Sequence, residues 1–157
     1  MSSQEKQSVA RAYLQLLAAH GIEYLFGNRG TDFAPLNEAI AQLSTRDDAR
    51  IPQPVLVPHE NVAVGMAYGF TLVTGRPQAV MVHVGPGTAN SVNNLLNASR
   101  QRVPILFTGG RTPILETGPL GSRNNFINWA QELYDQAGMV RELVKWDYEL
   151  RQPAQMQ

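Results

Sequence analysis

The chain has 157 residues, with 13 basic and 13 acidic side chains, a formal net charge of +0 and no cysteine. The neutral balance argues against an electrostatic nucleic-acid binder, which needs a basic face, and a chain without cysteine has neither disulfides nor a thiol nucleophile. Hydrophobic residues form 43% of it, enough for one core, yet no apolar run approaches the ~18 residues of a membrane span. With a polar start unlike a signal peptide, this predicts a cytoplasmic domain with no membrane or nucleic-acid partner.

Helical and strand-like patterns alternate along the first half of the chain. A capping-box pattern, Ser2-x-x-Glu5, precedes apolar residues at helical spacing, which predicts a helix that ends near His20 and Gly21. The next predicted elements are a strand, a helix, a second strand and a helix rich in small residues, over residues 22–26, 33–43, 55–57 and 61–74.

The second half continues this alternation. A uniformly apolar strand, a Gly-Pro-Gly-Thr turn, a helix and a fourth strand are predicted over residues 79–84, 85–88, 89–100 and 105–108. A long loop, a helix and a final extended piece then cover residues 109–125, 126–137 and 140–148. Short strands that are each followed by a helix predict an α/β fold: a three-layer, doubly wound, mostly parallel sheet with helices on both faces.

Three unusual segments follow predicted strands, over residues 27–32, 59–61 and 83–90. In parallel α/β sheets, ligands bind beyond the carboxyl ends of the strands. We therefore expect these segments to lie along one edge of the sheet, close in space although distant in sequence.

Glu60 is the only acidic residue between Ala49 and Leu115. A lone carboxylate in apolar surroundings is costly to ionise, so a raised pKa is expected. The ordinary alternative is a glutamate in the first turn of a helix, where the helix dipole favours a negative side chain.

The other candidate residues are individually ambiguous. The Gly-Pro-Gly segment either presents backbone N–H groups to an anion or only connects a strand to a helix, and it lacks the Gly-Lys-Ser/Thr of a phosphate loop. Arg29 is either a ligand for an acidic group or a solvated side chain. His59 and His83 each end a strand at the predicted edge, and together with Glu60 they favour acid–base chemistry.

Five blocks of sequence stand in a fixed order, over residues 21–30, 59–63, 66–77, 85–90 and 102–106. Together they resemble the amino-terminal, pyrimidine-binding domain of thiamine-diphosphate-dependent enzymes. The Phe-Gly-Asn-x-Gly-Thr opening, His83 and residues 143–148 are similar to benzoylformate decarboxylase, whereas the His-Glu-Asn and Gly-Pro-Gly-Thr-Ala-Asn blocks fit acetolactate-synthase-like carboligases equally well.

The resemblance implies a role for each candidate residue. Glu60 would bond the aminopyrimidine ring of the cofactor and activate it, and His83 would transfer protons to covalent intermediates. Thr31 stands where the decarboxylase branch has a serine that contacts the substrate, and Arg29 replaces a proline that is usual in the family. The residues expected to face the substrate are Asn28, Arg29, Thr31 and His59. Those expected to shape the pyrimidine pocket are Gly85, Pro86, Gly87 and Asn90.

The resemblance also implies thiamine diphosphate as cofactor, Mg²⁺ as its counter-ion and a 2-oxo acid as substrate. The Gly-Asp-Gly motif that holds the diphosphate and metal in the family does not occur here, so both are expected on another domain and no metal ligand is assigned. Residues 1–157 are expected to be a fragment without its last helix and downstream domains, in a homodimer or homotetramer formed through the active-site edge. The alternatives are a split two-chain enzyme, a nucleotide-binding module and a non-catalytic association domain.

Overall fold

The structure, a computed structural model, describes residues 7–118 and 121–156. Its four strands are β1 (Tyr24–Gly27), β2 (Gln53–Leu56), β3 (Ala79–Val82) and β4 (Leu106–Gly109). They form one parallel sheet in the order β2-β1-β3-β4, in which Phe26 is in register with Val55 on one side and Val80 on the other. Each predicted strand is confirmed within two residues at either end, and so is the α/β class.

Within the described residues there are six α-helices, of which the first precedes β1 and the others connect or follow the strands: α1 (Val9–Ala19), α2 (Ala34–Ser44), α3 (Glu60–Thr74), α4 (Val84–Asn90), α5 (Val92–Arg100) and α6 (Ile127–Ala130). Short 3-10 turns lie at Thr31–Phe33, Ala137–Met139, Arg141–Leu143 and Pro153–Met156. Among these helices, none combines the length and the apolar character that crossing a bilayer requires.

A capping residue explains where α1 begins, and another explains where α3 ends. The hydroxyl of Ser8 accepts a hydrogen bond from the backbone N–H of Arg11 at the start of α1. The capping box expected at Ser2 and Glu5 lies outside the described residues. Helix α3 ends at Gly75, whose φ of 71° is the left-handed conformation that stops a helix.

The core has two parts because successive strand residues face opposite sides of the sheet. One side packs against α1 and α2, and its central strand residues are Leu25, Ala79 and Met81. The other side packs against α3 and α5, and its central strand residues are Phe26, Val80 and Val82. The predicted three-layer arrangement with helices on both faces is therefore confirmed.

The Gly-Pro-Gly-Thr segment is helical, so the predicted turn over residues 85–88 is wrong. Helix α4 begins at Val84, and the N–H of Gly87 donates to the carbonyl of His83 at 2.9 Å. Pro86 is compatible with the first turn of a helix, where its missing N–H has no partner to lose. The predicted helix over residues 89–100 is divided at Ser91 into α4 and α5.

The segment after β4 also differs from the prediction. In place of a helix over residues 126–137, α6 spans only Ile127–Ala130, and residues 140–148 form no strand in the part that the structure describes. Asp135 accepts a hydrogen bond from the N–H of Gly138 at 3.0 Å and pairs with Arg141. Such local side-chain bonds compete with helical backbone bonds, and this explains the short turns here.

A buried glutamine joins the amino ends of β1 and β3. The side-chain carbonyl of Gln78, which is 0% exposed, accepts from the backbone N–H groups of Glu23 at 3.0 Å and Tyr24 at 2.8 Å. Its amide donates to the carbonyl of Arg76 at 3.3 Å. The two strands whose far ends carry the candidate site are thereby aligned at their beginning.

Replacing Gln78 by leucine should leave two partly buried N–H groups, those of Glu23 and Tyr24, without this acceptor. We expect Gln78→Leu to lower the free energy of unfolding by roughly 2–6 kcal/mol, since each group left without a partner costs about 1–3 kcal/mol. Urea unfolding measures this. The same exchange at the exposed Gln101 should change stability by less than about 0.5 kcal/mol, and equal effects at the two positions would contradict the assigned role of Gln78.

Candidate active site

The three segments predicted to converge do meet at the carboxyl edge of the sheet. The segments after β1 and β3 lie side by side, because these two strands are neighbours in the middle of the order β2-β1-β3-β4. After β1 the chain passes to the face of the sheet that carries α2, and after β3 it passes to the face that carries α5. In parallel sheets, ligands usually bind between two neighbouring strands whose connections leave to opposite faces. Glu60, at the start of α3, closes the same site through bonds to both segments.

Glu60 is held by one amide from each neighbouring segment. The Asn28 amide, after β1, donates to Oε1 of Glu60 at 3.1 Å, and the Asn90 amide, at the end of α4, donates to Oε2 at 3.1 Å. The Asn28 amide also lies 3.4 Å from the carbonyl of Pro58. Only 7% of Glu60 is exposed, so these two amides fix the direction of a nearly buried carboxylate.

The hydrogen bonds correct the expectation of a raised pKa for Glu60. Burial is the largest single influence and raises the pKa, but hydrogen bonds from Asn90, its own backbone N–H and Asn28, with the charge of His59, together outweigh it. The pKa of Glu60 therefore lies below its ordinary value. The side chain is an ionised hydrogen-bond acceptor at neutral pH.

His83 forms a second polar cluster, at the end of β3. Its Nδ1 lies 2.7 Å from Oδ1 of Asp32, and its Nε2 lies 3.4 Å from the side-chain nitrogen of Gln131. Both members of the close pair are largely shielded from solvent, with 22% of the His83 side chain and 12% of the Asp32 side chain exposed. A histidine held at Nδ1 presents Nε2 for proton transfer.

The remaining predicted residues lie around these two clusters. His59 is the N-cap of α3, where its Nδ1 accepts from the N–H of Asn61 at 3.2 Å, and its side chain is exposed. Arg29, Thr31 and Pro86 are exposed as well. Their roles toward a substrate or cofactor stay predictions.

Gly85 and Gly87 are buried where a side chain would not fit easily. A Cβ at Gly85 would overlap the side chain of Leu133. A Cβ at Gly87 would lie 3.0 Å from Cβ of Val82 and 3.5 Å from Cγ of Glu60. The small residues of α4 thus let its backbone pack directly beside the carboxylate.

The polar groups around Glu60 suit a nitrogen heterocycle better than a metal ion. An ionised carboxylate offers about four acceptor positions, of which the two asparagine amides occupy two, so Glu60 can accept a further N–H bond. Across residues 7–118 and 121–156, no three His, Asp or Glu side chains lie close enough together to hold a metal ion. A heterocycle that presents an N–H group, such as the pyrimidine of thiamine diphosphate, would find an acceptor in Glu60.

Sequence comparison decides the family. The model of the family described as "Thiamine pyrophosphate enzyme, N-terminal TPP binding domain" matches residues 7–139. The chain belongs to this family. It is 31% identical over 143 residues to a benzoylformate decarboxylase from Pseudomonas aeruginosa, covering 91% of this chain and 24% of that protein. It is 30% identical over 148 residues to an acetolactate synthase large subunit from Lactococcus lactis, covering 94% of this chain and 23% of that protein.

Structural comparison agrees with this assignment. The fold superposes on a thiamine diphosphate-dependent 4-hydroxybenzoylformate decarboxylase from Rhodococcus jostii with a TM-score of 0.71 and 26% identity, over 96% of this chain and 26% of that one. This thiamine pyrophosphate enzyme N-terminal domain thus spans about a quarter of the length of the relatives it matches.

Sequence reasoning missed two residues of the site, Asp32 and Gln131. Asp32 belongs to the segment singled out after β1, but nothing in the sequence connects it with a histidine 51 positions away. Gln131 falls in the region predicted as a regular helix. In the structure, α6 ends at Ala130, one residue before it. Its approach to His83 depends on the irregular path of the chain after β4 and carries no local signal.

The lowered pKa of Glu60 predicts how stability depends on pH. The unfolded chain has the higher pKa, about 4.3 for glutamate, so the contribution of Glu60 is complete above that pH and is lost as pH falls through the lower folded pKa. Wild type should be more stable than Glu60→Gln near pH 6, by a margin that narrows toward about pH 3. Urea unfolding at a series of pH values measures this margin, and a margin that widens in acid would contradict the assignment.

Proposed function

We propose that this chain is the pyrimidine-binding part of a thiamine-diphosphate-dependent 2-oxo acid decarboxylase or carboligase. The observation that carries the proposal is the buried carboxylate of Glu60, which Asn28 and Asn90 hold at the carboxyl edge of the sheet, between the segments that follow β1 and β3. Membership of the thiamine pyrophosphate enzyme family supplies the cofactor class. When bound, thiamine diphosphate supplies a carbon nucleophile and then an electron sink for the bond that breaks in a 2-oxo acid.

Glu60 would accept a hydrogen bond from the pyrimidine ring and exchange a proton with it at a carboxylate oxygen. Charge-assisted hydrogen bonds are stronger than neutral ones, and shielding from water strengthens them further. The two amides hold the carboxylate in place, so little of its motion has to be arrested when the ring binds. A lowered pKa keeps Glu60 ionised, and an ionised carboxylate is suited to accept the hydrogen bond from the ring.

His83 would move protons on the substrate side of the crevice. His83 stands 23 residues after Glu60 in the chain, yet it directly follows β3, the neighbour of β1, so both groups lie at the same edge of the sheet. The 2-oxo acid would be bound at the rim by Asn28, Arg29, Thr31 and His59. The exposed guanidinium of Arg29 is suited to a carboxylate, which it can bind through two parallel N–H bonds.

Two reaction classes fit this site. The likeness to benzoylformate decarboxylase and the presence of His83 at the crevice favour a lyase that releases carbon dioxide from a 2-oxo acid. The likeness to an acetolactate synthase large subunit favours the alternative, a carboligase that joins two such molecules.

The diphosphate and Mg²⁺ would be held by a further domain, since the described residues offer no metal cluster. We propose that the chain is the amino-terminal part of a longer cytoplasmic enzyme and binds the complete cofactor only with its complement. A homodimer or homotetramer would bring that complement to the crevice. The aromatic side chains of Phe126 and Trp129, which are 79% and 47% exposed, would be covered in such an assembly.

Turnover by the full-length protein tests the proposal. With thiamine diphosphate and Mg²⁺, wild type should convert benzoylformate or pyruvate, and Glu60→Gln should lower kcat by about 10²- to 10⁴-fold, the usual contribution of acid–base catalysis. Circular dichroism should show an unchanged fold. Glu38→Gln, on the exposed surface of α2, is the matched control and should keep full activity. A fully active Glu60→Gln would overturn the proposal.

A further inference from the structure

We propose that Asp32 is a positioning residue: it accepts the Nδ1–H of His83 and thereby fixes the imidazole in the tautomer that carries its lone pair on Nε2. This inference rests on the proposed function of the site, and it adds a residue that the resemblance to the family does not include. It is carried by the geometry of the His83–Asp32 pair and by the packing around it.

The pair is short and nearly buried. Nδ1 of His83 and Oδ1 of Asp32 are 2.7 Å apart, with 22% and 12% of the two side chains exposed. Asp32 is the middle residue of the 3-10 turn Thr31–Phe33, which is closed by a 3.1 Å bond from the N–H of Phe33 to the carbonyl of Gly30. Phe33 is buried in the core beside α1 and α2, and it anchors the turn.

His83 is the one hydrogen-bond partner that the described structure gives to the Asp32 carboxylate. Its second oxygen, Oδ2, is buried without a hydrogen-bond partner among residues 7–118 and 121–156. Most buried polar side-chain atoms have at least one hydrogen-bond partner. A carboxylate that served only to hold its own turn would be expected to bond backbone N–H groups there, as side chains in such turns usually do.

Two glycines leave just enough room for the pair. A Cβ at Gly30 would overlap the ring of His83, and a Cβ at Gly110 would overlap Oδ2 of Asp32. The backbone after the histidine is also constrained, because Val84 has a φ of 37°, a left-handed conformation that β-branched residues rarely adopt. The direction of the ring is therefore set by packing on both sides and by the chain itself.

The donors and acceptors around the His83 ring then determine its tautomer. An ionised carboxylate only accepts, so Nδ1 must be the donor, and a neutral ring then carries its lone pair on Nε2. The side-chain nitrogen of Gln131, a donor, lies 3.4 Å from that Nε2, which agrees with an acceptor there. Nε2 is thus the atom that can take a proton from a bound molecule and return it.

Kinetics of the full-length protein separate a positioning role from a structural one. With thiamine diphosphate, Mg²⁺ and whichever of benzoylformate and pyruvate wild type converts, Asp32→Asn should lower kcat by about 10- to 100-fold, a cost typical of losing the partner that orients a functional histidine. KM should change by less than about threefold. The matched control, Asp47→Asn in the exposed loop before β2, should leave both constants unchanged.

A double-mutant cycle shows whether Asp32 acts through His83. In a His83→Ala background, adding Asp32→Asn should change kcat by less than about twofold, because the group that Asp32 orients is already gone. If the effects of the two substitutions on kcat multiply in the double variant, the proposal is overturned. Should Asp32→Asn not fold, Asp32→Ala removes atoms beside Gly110 and tests the same point.

Chemical reactivity tests the tautomer without any turnover. Diethyl pyrocarbonate modifies an unprotonated ring nitrogen, and the rate at His83 can be followed by mass spectrometry of its peptide at about pH 8, where an ordinary imidazole is neutral. An asparagine at 32 can donate to Nδ1 and move the ring proton to Nε2, so modification of His83 should slow several-fold, while His20 and His59 serve as internal references. An unchanged rate at His83 would overturn the proposal.

Wild type that converts neither 2-oxo acid would instead overturn the proposed function, and the reactivity result would stand separately.

Discussion

The candidate site depends on a buried carboxylate that is kept ionised by two amides. Removing the charge of Glu60 from water costs several kcal/mol, and hydrogen bonds to charged groups return about 1.5–3 kcal/mol each. The lowered pKa of Glu60 shows which effect is larger, because the bonds from Asn90 and Asn28 and the start of α3 outweigh burial. Since the two amides come from the segments after β1 and β3, the carboxylate also joins the two sides of the crevice.

The same crevice carries a second carboxylate with a different task. Asn28 and Asp32 stand four residues apart after β1; the first bonds Glu60, and the second bonds His83 at the end of β3. One short loop thus aligns both a hydrogen-bond acceptor and a proton-transfer group. Gly30 and Gly110 have a common role, since each lets the backbone approach a side chain of the His83–Asp32 pair that a methyl group would displace.

Much of this could be predicted from the sequence, because the relevant signals are local or periodic. The apolar strands and the alternation with helices predicted the three layers, and the segments after the strands predicted the edge that holds Glu60, Asn28 and Asn90. The pKa of Glu60 was predicted in the wrong direction, because charge spacing along a chain does not reveal amide donors from other elements. Asp32 and Gln131 were missed for the same reason: their contacts with His83 form only when the chain folds.

The most direct test of the central claim is a crystal structure of the full-length protein with thiamine diphosphate and Mg²⁺. We expect a carboxylate oxygen of Glu60 about 2.6–3.2 Å from a ring nitrogen of the aminopyrimidine, with the amides of Asn28 and Asn90 still donating to the carboxylate. An aminopyrimidine bound away from the crevice between β1 and β3, or a Glu60 carboxylate turned from the ring, would contradict it.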